Sequence, residues 1–371
     1  MKCSYSQSQT YISCPAYWNW LYNEKLKGPE EGASLHFGSA LDGAIEHMLK
    51  GDPNYIEKYE KAMDVQFHFG KQVVFFDNPA VVYSYSDFDK ELLTDSDINQ
   101  LKTWASDLKL YANAAQTGYK LRDDMIGLYE TIAKVKKNPY KKMTSPQKLF
   151  FNRASWLSLK RKGYYMIESF RDQFYPKITK VLSTQTQAFI KDPSTGDSIQ
   201  GFVDMILEIE GYDKPIIFDL KTAARPYTQD QIDHSAQLTL YAGMKGPEYN
   251  TNLVGYVVLC KNINKEKVAT CKSCGNIRTG RHKTCDADIN GTRCGGEWDE
   301  KIVPKPEVQV MVKEKSQEEI NSVFMDMGNI ISAMKQKIIY KDTSKCENWY
   351  GSRCQYYNAC HNNDLTGLVK K

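Results

Sequence analysis

The sequence lacks any long hydrophobic run. No apolar stretch approaches the ~20 residues that a membrane-spanning helix needs, and no apolar segment follows the first six residues as it would in a secretory signal. Excess charge is also small, since 49 basic and 45 acidic residues leave a net charge of +4. Internal repeats and low-complexity tracts are missing as well. We therefore expect a cytoplasmic protein that does not enter a membrane.

The composition is that of a folded protein with several cysteines in a reducing compartment. Hydrophobic residues make up 41% of the 371 residues and charged residues 25%, enough for a sizeable core. At ~150 residues per domain, this length predicts two or three domains or one core with insertions. Without an export signal, ten cysteines are more typical of metal sites than of disulfides.

The first half of the chain is mostly helical in pattern, and the second half mixes strands with helices. Helical spacing dominates from about 17 to 180, apart from an aromatic stretch near 67–88 that fits neither pattern. Helices are also predicted at about 228–245 and after the capping box Ser316–Glu319. The predicted strands are 178–190, 199–209, 215–221, 253–261 and 307–313. This order predicts an α/β (α+β) fold with a mixed sheet flanked by helices.

Two aspartates occupy successive predicted strands. Between these strands, Gly211-Tyr212 can form a two-residue turn, with glycine at the first position as type II′ geometry favours. In the hairpin that results, two residues lie opposite each other when their numbers add up to 423. Asp204 and Asp219 are such a pair. Like charges at paired positions destabilise a sheet unless a cation lies between them.

Lys221 shares a strand face with Asp219, because side chains alternate along a strand. Two carboxylates that hold Mg²⁺ or Mn²⁺, with a lysine beside them, suit metal-assisted phosphodiester hydrolysis. The lysine then positions or helps to deprotonate the attacking water and offsets charge in the transition state. A solvated hairpin with ordinary surface charges is the alternative. The apolar run Ile216–Phe218 favours the buried, functional interpretation.

Short motifs around the aspartates resemble those of a known family. The runs Gly201–Asp204 and Ile217–Thr222, followed by Gln237 and Tyr241 in a Q-x-x-x-Y spacing, resemble the PD-(D/E)XK nuclease superfamily. The RecB-like branch, with the AddB nuclease domain and the iron–sulphur exonucleases of CRISPR systems and phages, is similar also in its opening motif, here Ser6–Pro15. The resemblance covers the first ~50 residues and about 178–361, without the cysteine-rich insertion.

The resemblance implies a restriction-endonuclease-like core that hydrolyses DNA with Mg²⁺ or Mn²⁺. It also implies that Gln237 and Tyr241, which share one helix face at i and i+4, contact the substrate or order the active site. A Gln–Tyr pair alone is more often structural.

One position departs from the family pattern. The family has Gly-x-x-x-His in its first helix, with the histidine as a metal ligand, whereas the run from Gly38 here ends in Asp42. The resemblance implies that Asp42 binds Mg²⁺ or Mn²⁺, both of which accept oxygen ligands. Glu46 and His47 are lesser candidates one turn on. The alternative is that all three are surface residues of an amphipathic helix.

Two further ligand positions follow from the same resemblance. In the family the carbonyl of the residue at Leu220 adds a metal ligand. The family also often has a glutamate in the preceding strand, where this chain offers only Gln185 and Gln187. Neither residue offers the carboxylate that the family has there.

Four cysteines near the two ends of the chain resemble a cluster site. In the iron–sulphur branch, one N-terminal and three C-terminal cysteines hold a [4Fe–4S] cluster, and the matching residues are Cys14, Cys346, Cys354 and Cys360. The usual x₂ interval is x₇ here. Four thiolates equally suit zinc, and ordinary buried thiols are the remaining alternative.

A second cysteine group lies within one short insertion. Cys271, Cys274, Cys285 and Cys294 follow the spacing C-x₂-C-x₁₀-C-x₈-C in a segment with almost no core-forming residues. Such a segment needs a metal to fold, so we predict a Cys₄ zinc ribbon. Basic residues suggest contact with nucleic acid, and a protein partner from recombination or replication is the alternative. They are Arg278, Arg281, His282, Lys283 and Arg293.

A basic stretch without acidic residues runs between Glu130 and Glu168. Positive charge can follow a phosphate backbone, and aromatic rings can stack on bases. The alternative is a solvated face with its aromatic residues turned inwards. The basic residues are Lys134, Lys136, Lys137, Lys141, Lys142, Lys148, Arg153, Lys160, Arg161 and Lys162, and the aromatic ones Tyr140, Phe150, Phe151, Trp156, Tyr164 and Tyr165.

These observations divide the chain into five expected parts. They are the N-terminal part of a nuclease core (1–50), a helical region expected to bind DNA (51–177), the catalytic core (178–269), the zinc ribbon (270–299) and the C-terminal part of the core with the cluster cysteines (300–371). We expect a metal-dependent DNA exonuclease acting on single strands or ends in recombination, repair or phage DNA processing. A flap or junction endonuclease and a catalytically silent nucleic-acid-binding subunit are the alternatives. A compact chain of this kind suits a virus or mobile element, in which case the compartment is the host cytoplasm.

Overall fold

A computed structural model describes most of the chain. It covers residues 1–28, 30–64, 67–68, 71–74, 94–107, 145–191, 196–261, 264–278, 283–305, 307–347 and 353–370. Within these residues no helix is both long and apolar enough to cross a membrane. Most of the aromatic stretch near 67–88, the part of the basic stretch before Ser145, and also Arg281 and His282 lie outside them.

A six-stranded mixed sheet forms the centre. Strands β6 (Ile178–Lys191), β7 (Ser198–Ile209) and β8 (Ile216–Ala223) follow one another antiparallel, and β9 (Leu253–Cys260) pairs with β8 in parallel. Strand β14 (Val308–Glu314) closes one side, antiparallel to β9. Beyond the end of the β7–β8 ladder, β1 (Lys2–Ser4) pairs in parallel with the start of β7. The sequence did not predict β1.

Smaller sheets are formed by short strands. Strands β2 (Leu26–Lys27) and β15 (Val369–Lys370) join the two ends of the chain. Strand β5 (Lys71–Val74) pairs with β3 (Glu30–Gly32) and β4 (Phe67–His68).

Helices cover both faces of the central sheet. In chain order they are α1 (Tyr5–Ser13), α2 (Pro15–Trp18), α3 (Ala33–Leu49), α4 (Tyr55–Met63), α5 (Asp95–Asp107), α6 (Ser145–Ser169), α7 (Gln229–Asp233), α8 (Ala236–Tyr249), α9 (Gln317–Lys335) and α10 (Tyr357–Asn362). The predicted capping box starts α9, where Ser316 Oγ accepts from Glu319 N–H. One helix was predicted over 228–245, and this was wrong. Helix α7 ends at Asp233. A separate helix, α8, begins after Ser235, because Ser235 Oγ caps it by accepting from Leu238 N–H.

The core lies on the two faces of the sheet. Helices α3 and α6 pack on one face around Phe37, Phe170 and Phe218, all fully buried. Helices α8 and α9 pack on the other, around residues such as Ile217 and Leu238. The predicted mixed sheet with flanking helices is therefore confirmed.

The cysteine-rich insertion is carried on a two-stranded arm. Strand β10 (Asn264–Cys271) pairs antiparallel with β13 (Trp298–Lys305) through eight residue pairs. At its tip, β11 (Asp288–Ile289) and β12 (Thr292–Arg293) form a small hairpin. The arm leaves the sheet between β9 and β14, so the insertion interrupts the core without entering it.

Candidate active site

Asp204 and Asp219 lie where β7 and β8 separate, a place we call the fork. The last pair of the β7–β8 ladder is Met205 with Phe218, and the next positions in that register are the two aspartates. Instead of a further ladder bond, Asp204 Oδ2 accepts from Leu220 N–H at 2.8 Å. The predicted register is thus the one that the structure has, and it brings both carboxylates to the base of the fork.

Burial raises the pKa of both aspartates. Asp219 is 2% exposed, and its burial raises its pKa to about 7 although Lys221 acts in the opposite direction. Burial also raises the pKa of Asp204, against the lowering effect of the Leu220 N–H. Two acids held in a buried place at this cost are typical of a functional site rather than of a solvated hairpin.

Lys221 forms an ion pair inside the fork. Its Nζ lies 2.5 Å from Asp219 Oδ2. Burial works against the charged form, but Asp219 and Asp204 outweigh it and raise the pKa of Lys221. The side chain is therefore held as an ammonium group beside the carboxylates.

Helix α8 contributes Gln237 and Tyr241, one turn apart. Gln237 Nε2 donates to Asp219 Oδ1 at 2.7 Å and also lies 3.0 Å from Tyr241 OH. Burial raises the pKa of Tyr241, so its hydroxyl stays neutral. The ring can approach β7 because residue 201 is glycine, where a Cβ would lie 3.1 Å from Tyr241 Cε1. The two residues that the family resemblance implied for the site thus face the fork.

Helix α3 brings Asp42 towards the same place. Burial, together with the negative charges of Asp204 and Asp219, raises its pKa to about 8. Glu46 pairs instead with Lys50 at 2.5 Å, and His47 with Asp52 at 3.0 Å, within their own part of the chain. Of the three candidates on this helix, Asp42 is the one whose charge couples to the fork.

Gln185, which stands in the strand where the family often has a glutamate, and Tyr256, which the sequence did not single out, complete the surroundings. Gln185, in the left-handed region with φ 45°, donates through Nε2 to Asp204 Oδ1 at 3.2 Å. Tyr256 is paired with Asp219 in the β8–β9 ladder, and its hydroxyl lies 2.6 Å from Ser235 Oγ. No turn fixes the register of parallel strands, so the sequence carried no signal for Tyr256.

The donor set fits a hard divalent cation. Three carboxyl groups, from the buried Asp219 and the half-buried Asp42 and Asp204, face one ammonium group, so that ionising all three leaves an excess of negative charge. Carboxylate oxygens are the ligands that Mg²⁺ and Mn²⁺ prefer. In the described part of the chain, one group of three or more acidic, histidine or cysteine side chains has all its ligand atoms within 4.8 Å of one another, and it lies outside the fork. The oxygens of the three aspartates are therefore not all that close together.

That group is the predicted cysteine set of the insertion. The sulphurs of Cys271, Cys274, Cys285 and Cys294 all lie within 4.8 Å of one another. Cys271 Sγ is 3.6 Å from Cys294 Sγ, and Cys274 Sγ is 3.6 Å from Cys285 Sγ. This tip can hold a metal ion.

The basic side chains around the tip are partly neutralised. Lys272 pairs with Glu297 at 3.0 Å and Arg278 with Glu300 at 3.1 Å. The arm therefore presents less free positive charge than its sequence suggests.

The cysteines from the two chain ends line a common cavity of about 230 Å³. Trp20 Nε1 donates to Cys360 Sγ at 3.1 Å, and Tyr356 N–H donates to Cys354 Sγ at 3.4 Å. Cys14 and Cys346 complete the set. Four thiols around one cavity fit a metal centre, although their sulphurs are not gathered as tightly as those of the arm.

Two aromatic side chains described in the basic stretch pack against neighbouring elements. Trp156 Nε1 donates to Met63 O at 2.7 Å, and the ring of Tyr164 packs edge-on against Tyr59. Lys160 pairs with Asp64 and Arg161 with Asp97. In α6 the alternative of a packed face therefore applies to these rings, while Lys134 to Lys142 lie outside the described residues.

Comparison with protein-family models identifies a family for this chain. The family model described as the PD-(D/E)XK nuclease superfamily matches residues 109–361, a range that contains Asp204, Asp219, Lys221, Gln237 and Tyr241. A search of curated proteins gave no match.

Two solved structures are similar over part of the chain. The crystal structure of a candidate exonuclease from Eubacterium rectale has a TM-score of 0.29 and 11% identity, covering 72% of this chain and 76% of the other. That of SSO0001 has a TM-score of 0.22 and 13% identity, covering 52% of this chain and 66% of the other. The family match spans more than half of the 371 residues, and the chain therefore belongs to the PD-(D/E)XK nuclease superfamily.

Proposed function

We propose that this nuclease is a metal-dependent deoxyribonuclease, most specifically an exonuclease acting on single strands or ends in recombination, repair or phage DNA processing. The observation that carries the proposal is the fork, where Asp204, Asp219 and Lys221 meet under the Gln237 side chain. Apolar residues would stabilise the fold at least as well as a buried acidic pair with an adjacent ammonium group. The pair is therefore better explained by a function than by stability.

In this proposal Asp204, Asp219 and Asp42 hold one or two Mg²⁺ or Mn²⁺ ions, with the Leu220 carbonyl as a further ligand. A bound divalent ion polarises the scissile phosphate and lowers the pKa of its water. Asp42 takes the position where the family has histidine, so this site would be built from oxygen ligands alone.

The remaining side chains act on the substrate and the water. Lys221, held as an ammonium group, stabilises negative charge that develops on the phosphate and orients the water. Gln237 fixes one oxygen of Asp219 and leaves the other to Lys221. Tyr241 supports Gln237 through its neutral hydroxyl.

We further propose different metals for the two cysteine sets. Tetrahedral zinc with Zn–S of about 2.3 Å requires sulphurs about 3.8 Å apart, close to the 3.6 Å observed at the tip of the arm. The wider set, Cys14, Cys346, Cys354 and Cys360, suits a [4Fe–4S] cluster, which also takes four thiolates. The ribbon would then serve as a contact for a recombination or replication protein.

The proposed organisation keeps the five parts expected from the sequence. Residues 1–50, 178–269 and 300–371 build the nuclease core, 51–177 a helical region that contacts DNA, and 270–299 the ribbon. The proposed compartment is the cytoplasm, or the host cytoplasm for a viral protein.

Cleavage of end-labelled single- and double-stranded DNA with Mg²⁺ or Mn²⁺ tests the proposal. Lys221→Ala should lower the rate at least about 100-fold, whereas Lys180→Ala, at a 64% exposed lysine on β6, should leave it unchanged. The protein is purified without oxygen or chelator so that the cysteine centres stay loaded. The product ladder separates exonuclease from endonuclease. A folded wild type that binds DNA but never cuts it would establish a binding subunit instead.

A further inference from the structure

Beyond the fork, β1, β6 and β7 form an extension of the sheet with two different faces. Cys3, Ala188, Ile199 and Val203 point to one face and are buried there against residues of α8 and α9. Alternation along paired strands places Gln187, Phe189, Gln200 and Phe202 on the opposite face. On this second face, which we call the open face, no helix of the described part of the chain packs on the aromatic residues.

Two phenylalanines stand out on the open face. Phe202 is 59% exposed and Phe189 48%. Gln187 pairs with Phe202, and Phe189 with Gln200, so the two rings occupy diagonal positions of one hairpin, typically about 7–8 Å apart. Large aromatic residues exposed together mark an interaction surface more often than chance.

The open face carries positive charge and amides but no acid. Lys2, paired with Ser198, and Lys191, paired with the same serine from the other side, are both exposed. Beyond the fork, none of the residues that the register of β1, β6 and β7 places on this face is acidic, and the first acid along β7 is Asp204 of the fork itself. Such a surface is complementary to a polyanion with flat apolar groups.

The open face leads directly into the fork. Phe202 precedes Asp204 by two positions on β7, a distance of about 7 Å along a strand. Gln185, which contacts Asp204, likewise precedes Gln187 on β6. A chain lying on the two rings would therefore pass close to Asp204, the position at which β7 changes face.

We propose that the open face is a stacking platform for single-stranded nucleic acid. Phe202 and Phe189 stack on unpaired bases, while Lys2 and Lys191 contact phosphates on either side. Stacking requires bases that are not paired within a duplex, so the platform selects single strands or frayed ends. The inference rests on the proposed nuclease function and specifies its substrate class. It also replaces α6, whose described aromatic rings are packed, as the site of base stacking.

Binding of a fluorescein-labelled thymidine strand of about 12 nucleotides tests the platform, with an abasic strand of equal length as the second probe. Measurements are made in the Lys221→Ala background so that the strand survives. Phe202→Leu and Phe189→Leu should each weaken binding of the thymidine strand roughly 5- to 150-fold and leave binding of the abasic strand unchanged. Phe202→Trp should restore the affinity. Tyr212→Leu, at an exposed aromatic residue at the other end of β7, is the matched control and should have no effect.

The outcomes separate the platform from the nuclease. If Phe202→Leu binds the thymidine strand as tightly as the parent, or loses the abasic strand equally, the platform is wrong even when the wild type cuts DNA. If the wild type cuts nothing but the phenylalanine variants show the base-dependent loss, the platform stands and the nuclease proposal fails. Unchanged thermal midpoints of the variants show that the substitutions, at exposed positions, leave the fold intact.

Discussion

Folding raises the pKa of three aspartates, Asp42, Asp204 and Asp219. A carboxyl group whose pKa is raised by folding holds its proton more tightly when folded than when unfolded. Without bound cation, the free energy of unfolding therefore falls as the pH rises from about 4 to about 8, the window between the ordinary pKa of 3.8 and the value of about 8 for Asp42. Divalent cations should recover this loss.

Asp42→Asn removes one of the three charges and tests this view. We expect the variant to be more stable than wild type without divalent cation at pH 8, by roughly 1–2 kcal/mol, because like-charge repulsion is relieved. The same variant should gain less stability from Mg²⁺ and lose most activity. Thermal unfolding with and without Mg²⁺ gives both numbers. Equal stabilisation of variant and wild type by Mg²⁺ would show that Asp42 is no ligand.

Asp42→His is a second variant at the same position. It restores the residue that the family pattern has at this position. We expect it to cut DNA well with Mn²⁺ and poorly with Mg²⁺, because imidazole binds Mn²⁺ better than Mg²⁺. The ratio of the two rates, compared with that of wild type, is the measurement. An unchanged ratio would place residue 42 outside the metal's ligands.

At the scale of elements, the β7–β8 hairpin shows what sequence could predict. Its register followed from the position of Gly211, although the turn differs from the expected one. Tyr212 N–H donates to Ile209 O at 3.4 Å, so Gly211, with φ 86°, is the third turn residue and not the second. The register survives because apolar residues such as Ile217 must face the core.

The strands also contain what the sequence could not reveal. Val203 packs on the α8 side and Met205 on the α3 side, although a regular strand places positions two apart on one face. Asp204 lies at this change of face, opposite Gln185 with its positive φ. Such local distortion depends on tertiary packing and is concentrated at functional sites. The parallel pairing of β1 likewise needs contacts about 200 residues apart.

We expect the two-stranded arm to lose its structure without affecting the core. Cys274→Ser removes an exposed thiol of the proposed zinc site. We expect zinc content to fall from about one per chain to near zero and the arm to become sensitive to protease. The free energy of unfolding of the core should change by less than about 0.5 kcal/mol, and cleavage of DNA should persist. Loss of core stability would mean that the arm is part of the core.

At the scale of the whole molecule, the two ends of the chain are fastened together. Tyr356 OH donates to Leu26 O at 2.5 Å, and Gln355 Nε2 donates to Tyr17 OH at 2.7 Å. Strands β2 and β15 pair nearby, and the four-cysteine cavity lies between the same segments. A bound cluster would close a loop of more than 300 residues, which is where a cross-link restricts the unfolded chain most.

Cys354→Ser tests the cluster and this fastening together. We expect loss of iron and its visible absorption, and a fall in the free energy of unfolding of at least about 2 kcal/mol, because the long loop is no longer closed. Zinc should be retained. Cys274→Ser is the reciprocal control, since it should lose zinc and keep iron. Retention of iron in Cys354→Ser would refute this assignment of ligands.

The fastened ends also constrain how the protein is made. The hydrogen bond that Leu26 accepts comes from Tyr356, so a ribosome must add 330 residues after Leu26 before this contact can form. Strand β1 can pair with β7 earlier, because its partners lie near residue 200. A chain stalled just before Tyr356 would therefore carry every residue of the fork and still lack the fastening between Leu26 and Tyr356.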